Sequence, residues 1–411
     1  MIEFVEYTLK NGLKLIVNQD LSSELVAVNL IYKVGAKDEK PDQTGFAHLF
    51  EHLMFGGSAN IPDFDQPLQL AGGENNAFTN NDYTNYYITL PHQNLETAFW
   101  LESDRMLKLD FSQQSLDVQK KVVVEEYNQR YLNQPYGDLW LLLRPLVFKT
   151  HPYRWAAIGN DMDHVKNAKL ADVEDFFNKY YCPNNAILSL SGKISPDEGL
   201  ALAEKWFSDI PTGNIERNSI PQEALQLEKR ELSVNRPVPT DVVYLTFHMD
   251  KRKSSDFYES DVLTDILSSG PSSRLTQRFI KEEQSFFEVN AFITGDLDPG
   301  LFILMAKPRP GISLEDAKEK LLDELQKIID EPVPEKELTK VRNKIEANFT
   351  YGQTNILNKA MNLGLFAMMG ETADINAEMD KYNSVTPEDI RSFATRTLIP
   401  TNCSTLYYRA Q

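Results

Sequence analysis

Residues 172–185 and 389–402 align on each other without a gap, and a chain that repeats itself at half its length is confined to folds made of two copies of one domain. Asp172-Val173-Glu174-Asp175-Phe176 pairs with Asp389-Ile390-Arg391-Ser392-Phe393, and Pro183 and Asn185 pair with Pro400 and Asn402, always at an offset of 217. Both stretches follow a capped helix start, at Lys169–Asp172 and at Thr386–Asp389, and lead into β-prone runs, Ala186–Leu190 and Ser404–Tyr408. The openings of the halves also agree, because Val26–Tyr32 and Asp241–Phe247 each read as a strand with a helical segment behind it. A repeat of about 200 residues is too long for a solenoid unit. The expected fold is therefore α+β, with two duplicated α/β sandwich domains, each an antiparallel-rich sheet with helices packed on it. The expected boundaries are 1–210 for the first domain, 211–239 for a polar, Pro-containing connection and 240–411 for the second domain.

Charge narrows the function classes. Sixty acidic against 42 basic residues leave a net charge of −18, which argues against nucleic acid, whose phosphates need clustered Lys and Arg. No apolar run reaches the roughly 18–20 residues of a membrane span. The opening Met1–Glu6 has no basic region followed by an apolar stretch, so no signal peptide is expected in this sequence, and a soluble protein of cytoplasm or periplasm is expected. Two cysteines, Cys182 and Cys403, form no disulfide framework and lack metal-ligand spacing; both are read as reduced residues.

The duplication leaves one asymmetry. Only the first half carries His48-Leu49-Phe50-Glu51-His52. On a helix, residues four apart sit one above the other, so both imidazoles can reach one metal ion. A carboxylate at Glu51 lies beside that metal and can take a proton from its water, whose pKa zinc lowers to about 7. The second half has Asp265-Ile266-Leu267-Ser268-Ser269 in the corresponding place.

Two histidines do not close a zinc site. His92, His151, His164 and His248 are scattered, and each reads as a surface or hydrogen-bonding residue. The segment Val122-Val123-Val124-Glu125-Glu126-Tyr127 offers two carboxylates on a helix spanning about Ser115–Tyr131. Glu126 borders the apolar stripe of Leu116, Val123 and Tyr127, whereas Glu125 shares a face with Val118 and Val122. Spacing arbitrates weakly between them, and two solvated carboxylates fit the pattern equally.

The chain resembles the pitrilysin/insulinase family of zinc metallopeptidases (inverzincins, whose H-x-x-E-H inverts H-E-x-x-H), particularly its single-chain-length bacterial members and the mitochondrial processing peptidase. The resemblance rests on Gly45-Phe46-Ala47 before His48–His52, on Leu53–Ser58, on Gly72–Thr79, on Val122–Glu126 and on Ser272-Ser273-Arg274-Leu275 in the second half. It implies zinc held by His48, His52 and Glu126, with Glu51 as general base in the endoproteolysis of unfolded peptides. It also implies an acidic residue seven positions before Glu126, as an outer partner of the ligands; here that position is Gln119. Asn76, Ala77 and Phe78 resemble the family's edge strand, which pairs with an extended peptide; by themselves they fit a structural strand as well. The family's second-half Arg and Tyr, counted from Arg274, fall on Ile280 and Phe287, neither of which can hydrogen-bond an oxyanion. The implied assembly is therefore half of a peptidase chamber that closes on a homologous subunit supplying the Arg/Tyr pair. A homodimer is the alternative partner arrangement, and a non-catalytic assembly homologue is the alternative function.

Overall fold

The computed structural model describes residues 1–217 and 219–411. Its first elements are β1 (Val5–Thr8), β2 (Lys14–Gln19), β3 (Leu25–Tyr32), α1 (Phe46–Leu53), α2 (Asp65–Leu70), β4 (Glu74–Thr79) and β5 (Thr84–Pro91). There follow α3 (Leu95–Leu107), α4 (Gln113–Tyr127), α5 (Leu139–Val147), α6 (Met162–Lys166), α7 (Leu170–Tyr180), β6 (Ala186–Gly192) and α8 (Pro196–Phe207). The second half runs β7 (Arg230–Arg236), β8 (Val242–His248), α9 (Ser255–Ser268), β9 (Phe286–Ile293), β10 (Leu301–Pro308), α10 (Leu314–Asp330) and α11 (Glu335–Gly352). It closes with α12 (Ile356–Met368), α13 (Glu378–Ser384), α14 (Pro387–Thr397) and β11 (Cys403–Ala410).

These elements gather into two compact units. Unit one comprises Met1–Asn133, His151–Pro221 and Thr350–Asn376; unit two comprises Gln134–Thr150, Gln222–Phe349 and Ala377–Gln411. The sheet of unit one has the order β1-β2-β6-β3-β5-β4, and that of unit two β7-β11-β8-β10-β9. With β1 set aside the two orders correspond strand for strand. Each sheet has one parallel pair, β2 with β6 and β7 with β11, and its remaining pairs are antiparallel. The duplicated α+β fold is thus present in the strand order itself.

The helices that cover the sheets are exchanged between the sequence halves. α5 comes from the first half and packs on β7 and β11, whereas α12, its counterpart at the 217 offset, comes from the second half and packs on β3 and β6. In unit one the odd-numbered face of β3 presents Ala27 and Ile31 to Ile356, Ala360 and Leu363 of α12. The close approach occurs at Gly364, where an added Cβ would stand 2.9 Å from Ile31 Cδ1 and from Ser189 Oγ. Ser189 Oγ donates to the Ala360 carbonyl at 2.8 Å, and Lys359 pairs with Asp20 just past β2. The Lys359 ammonium, helped by Ser22, holds the Asp20 carboxyl down to about 2. In unit two α5 is fastened at its start, where Asp138 accepts from Arg236 Nε at 2.8 Å and from the Tyr408 hydroxyl.

No helix among the described residues is long and apolar enough to cross a membrane. Cys182 and Cys403 are buried free thiols.

Candidate metal centre

The site lies wholly in unit one and begins with α1. Phe46, Ala47, Leu49, Phe50 and Leu53 turn into the core, which leaves His48, Glu51 and His52 together on the remaining face. The helix starts at Gly45, whose φ of +89° suits a residue without a Cβ. Its first amides are satisfied by Glu39, which accepts from Gly45 N at 3.0 Å and from Ala47 N at 2.8 Å. Burial pushes the Glu39 carboxyl well above its usual range, and those two backbone bonds oppose the shift.

α4 supplies the third group. Ser112 caps it by accepting from Ser115 N at 3.1 Å, and Leu116 and Val123 are its buried residues. Glu126 shares their side of the helix, while Glu125 is exposed and accepts from Gln129 at 2.9 Å. Beyond Tyr127 the helix continues as a π-helical turn, Asn128–Leu132, in which Arg130 Nη1 holds Glu126 Oε1 at 2.8 Å.

His48 Nε2 lies 3.6 Å, and His52 Nε2 3.1 Å, from Glu126 Oε2. The imidazole rings stand nearly perpendicular, with centroids 4.8 Å apart. Burial drives the His48 pKa down to about 4, and Glu126 opposes that shift; a neutral imidazole is the form a metal needs. The hydrogen bond with His52 is the main influence that lowers the Glu126 carboxyl. Burial raises Glu51, against a hydrogen bond from Thr79 of β4. Two imidazole nitrogens and one carboxylate oxygen, all within 4.8 Å of one another, are a donor set that zinc accepts. At zinc bond lengths near 2.0–2.1 Å, tetrahedral ligands stand about 3.3 Å apart, so the 3.1 and 3.6 Å separations fit the ion.

The other residues singled out in the sequence lie as follows. Gln119 sits two turns before Glu126, its amide 3.8 Å from where a Gly56 Cβ would stand, and it makes no hydrogen bond to either imidazole among the described residues. Asn76, Ala77 and Phe78 lie on β4, the edge strand, which pairs with β5 on one side only among the described residues. Ala77 is directly opposite Tyr86, and Phe78 packs edge-on against Tyr83 with ring centroids 5.7 Å apart. In unit two, Ile280 packs against the core, and the half-exposed Phe287 lies beneath Arg309 at 4.9 Å. Arg278 is held by Glu283, Asp323 and Glu324 at 2.7–2.8 Å. The remaining histidines are engaged elsewhere: His92 with Glu198, His164 with Thr44, His151 with Tyr153 N and His248 with the Val147 carbonyl. Sequence reasoning missed Glu39, since no spacing marks a carboxylate that caps a helix from across a loop. It also missed the buried polar run of α3, Glu102–Arg105.

Comparison with known proteins identifies the family and the fold. The family model described as Insulinase (Peptidase family M16) matches residues 14–136, and that described as Peptidase M16 inactive domain matches residues 167–345. A protein of Helicobacter pylori named zinc protease PqqE is 28% identical over 368 residues, which cover 88% of this chain and 82% of its own. The crystal structure of a protease from Helicobacter pylori matches with a TM-score of 0.93 and 25% identity over all of both chains. An M16 inactive domain from Pseudomonas fluorescens shares the fold at a TM-score of 0.90 and 18% identity, covering all of this chain and 98% of its own.

Proposed function

Because the chain belongs to the pitrilysin/insulinase family of zinc metallopeptidases, we propose that it is itself a zinc-dependent endopeptidase for unfolded peptides. The observation that carries this reading is the convergence of His48, His52 and Glu126 on one point, with Glu51 on the same helix face. His48 Nε2, His52 Nε2 and Glu126 Oε2 would hold the ion, and Arg130 fixes the second oxygen of Glu126. When bound, zinc supplies acidification of a water molecule and polarisation of the scissile carbonyl. Glu51 takes the proton from the water and delivers it to the leaving amine, since it stands on the same helix face as the two histidines. The strand that would hold the substrate is β4, whose free edge can hydrogen-bond an extended peptide through its backbone. Phe78 would line a side-chain pocket there.

The absence of an Arg/Tyr pair at Ile280 and Phe287 bears on the partner. Ile280 is tied into the core and Arg278 is occupied by three carboxylates, so neither is free to reach a substrate. The complementing groups come from a homologous subunit, with which this chain forms a heterodimeric chamber; a homodimer would lack them. The competing reading is a non-catalytic assembly subunit, favoured by the same absence.

The test is cleavage of a mixed peptide pool by the zinc-loaded chain, alone and with candidate homologous subunits, and with Glu51→Gln as control. Turnover that falls about 10²–10⁴-fold in the variant, with one zinc retained, supports the role of Glu51. Zinc-bound protein that is inert with every partner would leave the assembly reading.

A further inference from the structure

The buried surface of α3 carries a run that an ordinary amphipathic helix would show to solvent: Glu102, Ser103, Asp104 and Arg105 are all at most 9% exposed. Arg105 donates through Nε to Glu102 Oε2 at 2.8 Å and through Nη2 to Glu102 Oε1 at 2.5 Å, a two-pronged pair at 1% exposure. Its carbon centre lies 5.5 Å from the ring of Phe55, 4.6 Å from that of Phe64 and 4.3 Å from that of Tyr86. Asp104, the neighbouring residue, accepts from the Ser58 hydroxyl, from Asn60 Nδ2 at 2.6 Å and from Asn60 N at 3.4 Å.

These contacts converge on one segment. Residues 54–64 leave α1 two positions after His52 and lead into α2, and from there to β4. Phe55 and Phe64 stand at its two ends, with Ser58 and Asn60 between them. Tyr86 lies on β5 directly opposite Ala77. A single guanidinium therefore touches the exit of the helix bearing the histidines, the entry to α2 and the residue behind the edge strand. We propose that Arg105, oriented by Glu102 and seconded by Asp104, is a positioning residue that sets the metal helix in register with the substrate strand. This rests on the zinc-peptidase reading of the same site. A lysine could not do the same work, because only a planar guanidinium can meet a carboxylate with two prongs along its edge while its face lies against aromatic rings.

The test separates this role from simple stability. Removing Arg105 alone would strand the Glu102 charge in the core, so the informative variant is Glu102→Gln combined with Arg105→Met, which removes both charges at similar volume. Arg105→Lys is the conservative companion. Two readouts are taken: the visible ligand-field spectrum of the cobalt-substituted protein without substrate, and kcat and KM of the zinc form together with its complementing subunit. The expected result is a folded double variant that binds one metal per chain with a shifted cobalt band, and a kcat lowered about 10–100-fold. Arg105→Lys would give a similar band shift. A cobalt spectrum and kcat equal to the parent's in the double variant would overturn the proposal. If the parent chain proves inert with every homologous subunit, the peptidase reading fails, and the cobalt band still decides the positioning role.

Discussion

The proposed metal triad of unit one and its counterpart in unit two occupy corresponding places in the duplicated framework and differ in chemistry. At the 217 offset, His48, His52 and Glu126 become Asp265, Ser269 and Asn343. In unit two, Lys344, next to Asn343, donates to the Ser269 hydroxyl and lies 3.6 Å from Asp265. Where unit one offers three donors to a cation from outside, unit two ties the corresponding helix to α11 with an ammonium of its own. An ammonium needs no open coordination position and activates no water, so this arrangement joins two helices. One duplicated framework thus yields a candidate metal site in one unit and an internal ion pair in the other.

The largest effect that would break this comparison is expected from Glu126→Gln. Zinc affinity should fall by more than about 100-fold, beyond what the loss of an outer partner costs, whereas Asn343→Gln should leave the zinc content at one per chain; metal analysis after dialysis distinguishes them. Next in size is Gly364→Ala, which forces a Cβ against Ile31 and Ser189 and should destabilise by about 1–3 kcal/mol in denaturant unfolding. Its counterpart on α5 is the fully buried Val147, so the exchanged helices meet their sheets with different side-chain volumes.

A smaller effect follows from Asp20. Its folded pKa of about 2 lies below the ordinary 3.8, so its pairing with Lys359 stabilises fully above that ordinary value and is lost as pH falls toward 2. Asp20→Asn should cost roughly 1 kcal/mol at neutral pH, and its stability should converge with the parent's between about pH 4 and 2. A gap that stayed constant across that window would show that the pairing with α12 does not carry the difference. The smallest effect is expected from Lys344→Met, at about 1 kcal/mol or less with peptidase activity and zinc content unchanged, since the pair is part-exposed. Metal loss in that variant would contradict the division of labour between the units.

Local patterns carried much of this protein in one dimension. The helix start at Thr386, the run of β11 and the repeat at offset 217 were legible because caps, period and length are properties of neighbouring residues. So was the grouping of His48, Glu51 and His52 on one face of α1, which helical geometry imposes on any such spacing. The choice between Glu125 and Glu126 was not legible, because both border apolar positions and only the docking of α4 on α1 turns one of them inward. Arg105 and its neighbours were invisible for a stronger reason: a Glu-Ser-Asp-Arg run reads as a solvated face unless its partners, Phe55, Phe64, Tyr86, Ser58 and Asn60, are known to surround it.

The sequence by itself determined the duplication, through its repeat at offset 217, and the placing of His48, Glu51 and His52 on one helix face, which depends on residues a few positions apart. The tertiary structure alone decided that α5 and α12 cover each other's sheets, that Glu39 caps the metal helix and that a guanidinium stands behind it. An apolar helix face states that it must be buried but not against which sheet. A buried charge is tolerable only where distant parts of the chain supply its partners, and that complementarity exists only in three dimensions.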